Sequence, residues 1–169
     1  TALILNSGFQ ANVSILPALA DRQTLIFSDQ LNHSSIIQGV LLSRCHVLRF
    51  RHNDLAHLEE LLENNVNKGP CFNSTRARRM IVTESVFSMD GDQSDIGRLV
   101  ELARAFDALL VVDEAHATGV LGPGGMGLCC GKGVDLTIGT FGKACGSFGA
   151  YAACSRKLRD YLVNCCAGF

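Results

Sequence analysis

Short β-branched or apolar runs alternate along this chain with longer segments of helical period, and this alternation restricts the fold more than any other feature. Candidate strands are TLIFSD (24–29), HVLRF (46–50), RMIVTES (79–85), LLVVDE (109–114), LTIGT (136–140) and AYAACS (150–155). Candidate helices fall at about 9–20, 33–43, 54–65, 95–106 and 156–166. In the third, Leu55, Leu58, Leu61 and Leu62 recur on one helical face, with Asp54 available as N-cap. Alternation of this kind means βαβ units, hence a three-layer α/β/α architecture with a mostly parallel sheet covered on both faces. The stretch 65–79 is polar and rich in helix breakers and reads as a surface loop. No repeat or linker divides the 169 residues, which suffice for one domain with a real core.

Several partner classes drop out on composition. A formal net charge of −1 has no pull on nucleic acid or on an acidic membrane. No uninterrupted apolar stretch reaches the roughly 18 residues of a membrane span. The start, TALILNSGFQ, lacks the basic segment and small-residue cleavage site of a signal peptide, so a soluble, cytoplasmic chain is expected. Eight cysteines occur without the regular framework of a small secreted domain and without a C-x-x-C pair. They read as buried thiols acting as small hydrophobes, and no metal site is expected.

Ligands of open parallel sheets gather beyond the carboxyl ends of the strands, and the chemically unusual residues sit there. Ser88 follows the third candidate strand, Asp113 ends the fourth and Lys143 follows the fifth. Lys143 lies in TFGKACGSFG, among glycine, alanine and phenylalanine. An ammonium in such company either turns its head to water or does chemistry that needs an uncharged amine. Asp113 closes an apolar strand and needs a donor or a cation; a protonated pyridine nitrogen would serve, and so would the turn after it. His116, three residues on, reads equally as ligand, acid–base group or core histidine. His33 stands just ahead of a helix, where an imidazole can lie flat over an aromatic cofactor. Ser7, Gly8 and Phe9 fall at a helix N-terminus, whose free N–H groups favour a phosphate, although neither phosphate-loop fingerprint is present.

Taken together, NHSSIIQG, TESVFSMDGD, VVDEAHATGVLGPGGMGL and GTFGKACGSFGAY resemble, in order and spacing, the α-oxoamine synthases. These are pyridoxal-phosphate enzymes of the aspartate-aminotransferase fold. The resemblance implies that Lys143 is the lysine covalently linked to pyridoxal 5'-phosphate, that Asp113 holds its pyridine nitrogen protonated, and that Ala115 packs beneath the ring with His33 stacked on the opposite face. His116 and Ser88 match groups at or near the 3-oxygen. Thr140 matches a phosphate-binding hydroxyl, Gly8 and Phe9 match the backbone near the phosphate, and Glu84 matches a substrate-side polar group, where His33 also contributes.

The same resemblance implies a reaction. An amino acid displaces Lys143, loses its α-proton to a base, attacks an acyl-CoA or acyl-carrier-protein thioester and loses its carboxylate, giving an α-amino ketone. TESVFSMDGD and GVLGPGGMGL look most like the branch serving biotin synthesis, with L-alanine and a pimeloyl thioester as substrates. Glycine C-acetyltransferase, 5-aminolevulinate synthase and serine palmitoyltransferase are related branches, and a non-catalytic partner subunit of the same fold is the alternative of a different kind. Family members carry an N-terminal segment and a C-terminal small domain and work as homodimers. Residues 1–169 therefore resemble the central part of the large domain, with little synthase activity expected of the piece alone.

Overall fold

The computed structural model describes residues 1–65 and 78–168. In chain order the elements are β1 (Ala2–Leu5), α1 (Gly8–Leu19), β2 (Thr24–Asp29), α2 (Ser34–Leu42), β3 (His46–Phe50), α3 (Leu55–Asn64), β4 (Arg78–Glu84), α4 (Ile96–Ala105), β5 (Ala108–Asp113), β6 (Leu136–Thr140), β7 (Ala150–Cys154) and α5 (Arg156–Cys165). The seven strands form one sheet in the order β1-β7-β6-β5-β4-β2-β3. Strands β2 to β6 run parallel, while β7 is antiparallel to both β6 and β1. Each strand and helix read from the sequence is present within one or two residues. Strand β1 is additional: its four residues pair only with β7, Ala2 opposite Ala153, so nothing local marks it. Most of the loop expected at 65–79 lies outside the described residues, and Arg78 and Arg79 belong to β4.

Each of the five α-helices α1 to α5 starts on a side-chain cap. Ser7, His33, Asp54, Asp95 and Ser155 accept from the backbone N–H of Gln10, Ser35, His57, Arg98 and Leu158. Such caps contribute about 1 kcal/mol each and set the residue at which a helix begins.

Because side chains alternate along a strand, each parallel strand feeds two cores. On one face Ile26, Met80, Val82, Val111 and Ile138 pack against Ala11, Ile15 and Leu16 of α1, Ile36 and Val40 of α2 and Leu162 of α5. On the other, Leu25, Phe27, Ile81, Leu110 and Val112 meet Leu58 and Leu62 of α3 and Leu99 and Ala103 of α4. This is the three-layer architecture expected from the sequence. Helices α1 and α2 come close at Gly39, where a Cβ would meet the carbonyl group of Asn12 and the Leu16 side chain.

Candidate active site

Strand parity decides which side of the sheet the strand ends address. Glu84 shares the parity of Met80 and Val82, Asp113 that of Val111, and Thr140 that of Leu136 and Ile138, so all three face the α1/α2 layer. Glu84 and Asp113 are register partners on neighbouring strands. A cleft of about 280 Å³ opens beyond these ends. Its walls are the first turns of α1, with Gly8, Phe9 and Asn12, and of α2, with His33 and Ser35. Ala115 and His116 after β5, and Gly142 and Lys143 after β6, close it.

Lys143 Nζ lies 2.5 Å from His116 Nε2. Partial burial of the amine lowers the Lys143 pKa below its ordinary value, against the carboxylates of Asp113 and Glu84, which favour the ammonium, although the residue as a whole is exposed and solvent screening limits the effect. The His116 pKa is also lowered, first by burial and then by the Lys143 charge. Both bases are therefore biased toward their neutral forms at hydrogen-bond distance, which is the state a nucleophilic amine needs.

Asp113 is buried, and each of its oxygens already has a donor. Oδ1 accepts the Ala115 N–H at 2.8 Å and Oδ2 accepts from Asn12 Nδ2 at 2.7 Å. Its remaining lone pairs turn to the cleft, where a ring N–H can complete the set. Glu84, 3% exposed, accepts the His33 backbone N–H at 2.6 Å. Burial, followed by the neighbouring Asp113 charge, raises its pKa to about 7. Thr140 Oγ1 donates to the Gly149 carbonyl at 3.1 Å and accepts the Gly142 N–H at 3.2 Å, so this hydroxyl shapes the turn that carries Lys143.

Pyridoxal phosphate needs an amine for its aldehyde, a carboxylate for its pyridinium and an N–H-rich pocket for its phosphate. Lys143, Asp113 and the first turn of α1 at Gly8 and Phe9 offer these on one cleft, so the donor set fits. A larger depression of about 750 Å³ on the other side of the sheet, against Glu114 and Tyr151, is lined by no lysine, arginine or histidine among the described residues.

Nine of the residues singled out from the sequence line the cleft: Lys143, His33, His116, Asp113, Thr140, Ala115, Gly8, Phe9 and Glu84. Ser88 does not; it is exposed in the turn at 88–90. Two lining residues escaped the sequence reading, Asn12 and Ser35; Gly142, the other wall residue, is one of the small neighbours of Lys143 in TFGKACGSFG. Asn12 had one signal, an amide on the apolar stripe of a helix, where burial demands hydrogen-bond partners.

The family model for aminotransferase class I and II matches residues 1–169. The chain belongs to that family. Within the aminotransferase class I and II family, a protein of Desulfosudis oleivorans is 64% identical over 168 residues, 99% of this chain and 42% of its own length. The 8-amino-7-oxononanoate synthase of Geotalea daltonii is 54% identical over 167 residues, 96% of this chain and 41% of its own. Among solved structures, a serine palmitoyltransferase from S. paucimobilis with bound PLP–myriocin aldimine superposes with TM-score 0.85 and 28% identity, over 98% of this chain and 41% of that one. The likeness to α-oxoamine synthases drawn from the motifs holds, and pyridoxal phosphate, the cofactor expected with it, is the group bound in the matched serine palmitoyltransferase. The chain spans about two fifths of the length of the relatives it matches. Among the described residues no helix is long and apolar enough to cross a membrane.

Proposed function

We propose that the protein carrying this chain is a pyridoxal-phosphate acyltransferase. It condenses L-alanine with a pimeloyl thioester and releases carbon dioxide and the thiol to leave an α-amino ketone, as in biotin synthesis. This chain contributes the central part of the cofactor-binding large domain. The carrying observation is the Lys143 amine, biased toward its neutral form and set beside His116 on the same cleft as Asp113.

When bound, the cofactor supplies an electron sink for the pair left behind as a bond to the substrate's Cα breaks. Asp113 would keep the ring nitrogen protonated, and the Asn12 and Ala115 donors hold its carboxylate in place. Lys143 Nζ would take the Cα proton of the bound amino acid, and His116 Nε2 beside it would provide a hydrogen-bond partner for either charge state. His33 would help hold the cofactor ring and the substrate, its position set by its backbone N–H donating to Glu84. The N–H groups of Gly8 and Phe9 would bind the phosphate, and Thr140 fixes the lysine-bearing turn. Ser88 is proposed as a group close to the 3-oxygen side.

The likeness to serine palmitoyltransferase supports a second reading, L-serine with a long acyl chain. Turnover of L-alanine, glycine and L-serine, each with short and long acyl-CoAs, separates the branches. Addition of pyridoxal phosphate followed by borohydride should fix the label to the peptide containing Lys143, and Lys143→Ala should abolish it. A label elsewhere, or one undiminished in the variant, refutes the assignment.

A further inference from the structure

Four side chains from three separate segments form one hydrogen-bonded line across the floor of the cleft. Asn12 Nδ2 donates to Asp113 Oδ2 at 2.7 Å and to Ser35 Oγ at 3.0 Å. Ser35 Oγ lies 2.8 Å from His33 Nδ1, and the backbone N–H of Ser35 donates to the same nitrogen at 3.2 Å. Asn12 is 2% exposed and Ser35 1%, so no bulk water competes for the amide or the hydroxyl, while His33 at the end of the line is exposed.

The proton positions follow by elimination. A carboxylate only accepts, so the amide nitrogen of Asn12, not its oxygen, faces Asp113. Both amide hydrogens are then committed, one to Asp113 and one to Ser35. Ser35 Oγ accepts from Asn12, which leaves its own hydrogen for His33 Nδ1. The Ser35 backbone N–H has no other role than donor, so it too requires a lone pair on that nitrogen. Two donors converge on Nδ1, and the ring proton of neutral His33 belongs on Nε2.

We propose that Asn12 and Ser35 are positioning residues that set the tautomer of His33, so that its imidazole carries N–H on Nε2 and keeps Nδ1 as a pure acceptor. The tautomer is a property of this chain alone. Its use in the reaction rests on the function proposed above. The line also ties the cofactor-facing carboxylate to the histidine through one amide, so changing Asn12 alters both ends.

The test is the ¹⁵N spectrum of the His33 ring in the intact protein without cofactor, in alkaline solution. The parent should show Nδ1 at an unprotonated position and Nε2 at a protonated one. Ser35→Ala removes one of two donors and should move both shifts toward the averaged positions of a mixed tautomer; Ser35→Thr, which keeps the hydroxyl, should restore them. Asn12→Ala frees the Ser35 hydroxyl to rotate and should move them in the same direction. Should either alanine variant fail to fold, judged by circular dichroism, the other and the threonine variant carry the comparison. A protonated Nδ1 in the parent overturns the proposal, and so do shifts indifferent to both alanine substitutions. The borohydride label at Lys143 is read separately: its loss with the tautomer intact removes the catalytic reading and leaves this one standing.

Discussion

Gly39→Ala gives a test in which two physical effects predict opposite signs. Alanine in a helix interior is favoured over glycine by about 1 kcal/mol, so propensity alone predicts a more stable protein. Here the added Cβ would stand 3.1 Å from the Asn12 carbonyl carbon, closer still to its oxygen, and 3.1 Å from Leu16 Cδ1. Carbon–carbon contacts settle at roughly 3.5–4.0 Å, so α2 must back away from α1 by about 0.5 Å or more. The obstacle is backbone on a packed helix, so the overpacking cost belongs toward the upper end of the usual range of about 1–3 kcal/mol. The net expectation is a loss of about 1–2 kcal/mol, or roughly 2–8 °C in Tm for a domain of this size. The same displacement stretches the 3.0 Å Asn12–Ser35 bond past hydrogen-bonding range. Thermal melts of the intact protein and the variant decide the matter: an unchanged or higher Tm would refute the close approach of α1 and α2.

Two titrations follow from buried acids and bases. Glu84 has its pKa raised to about 7 from 4.5, so the folded state binds its proton more tightly than the unfolded state does. Stability is greatest below about pH 4.5 as far as this group is concerned, falls as the pH rises to about 7, and is level beyond. Glu84→Gln, which keeps an acceptor for the His33 N–H, should therefore stabilise the cofactor-free protein above pH 7 by up to about 3 kcal/mol and do little near pH 4.5. A denaturant midpoint no higher in the variant at pH 8 would refute it. His52 sits between Asp29 Oδ1 at 3.0 Å and Asp92 Oδ2 at 2.7 Å. Burial disfavours its charged form, but the hydrogen bonds to both aspartates carry its pKa above the usual value. Its contribution is thus complete below about pH 6.5 and is lost as pH rises through the folded value. His52→Ala should cost about 2 kcal/mol in mildly acid solution, the scale of a hydrogen bond to a charged group, and less in alkali. A pH-independent difference would show that the imidazolium is not favoured.

The strands were legible because their β-branched runs end where turn residues begin, and TLIFSD, HVLRF and LTIGT match β2, β3 and β6 residue for residue. Strand β1 was not legible, since its pairing with β7 spans about 150 residues and Ile4 on it is exposed. The site divides the same way. Lys143, Asp113 and His33 stand out as polar groups at the junctions of apolar elements. Asn12 is recognised only through a hydrogen bond to a carboxylate 101 positions away, and no local pattern encodes that distance. Ser88 belongs to a matched motif, yet the chain turns outward at 88–90 and leaves it exposed.

The pairing of β1 with β7 has a consequence for synthesis on the ribosome. Residues 2–5 emerge well before their hydrogen-bonding partner at 150–154 exists, and the lysine at 143 is made shortly before that partner. A nascent chain halted before this point has a parallel centre able to form but neither the reactive amine nor the antiparallel edge. Lys143 and the antiparallel edge are therefore made close together, after the parallel centre, and the early strand must wait for its partner with its backbone groups open to chaperones.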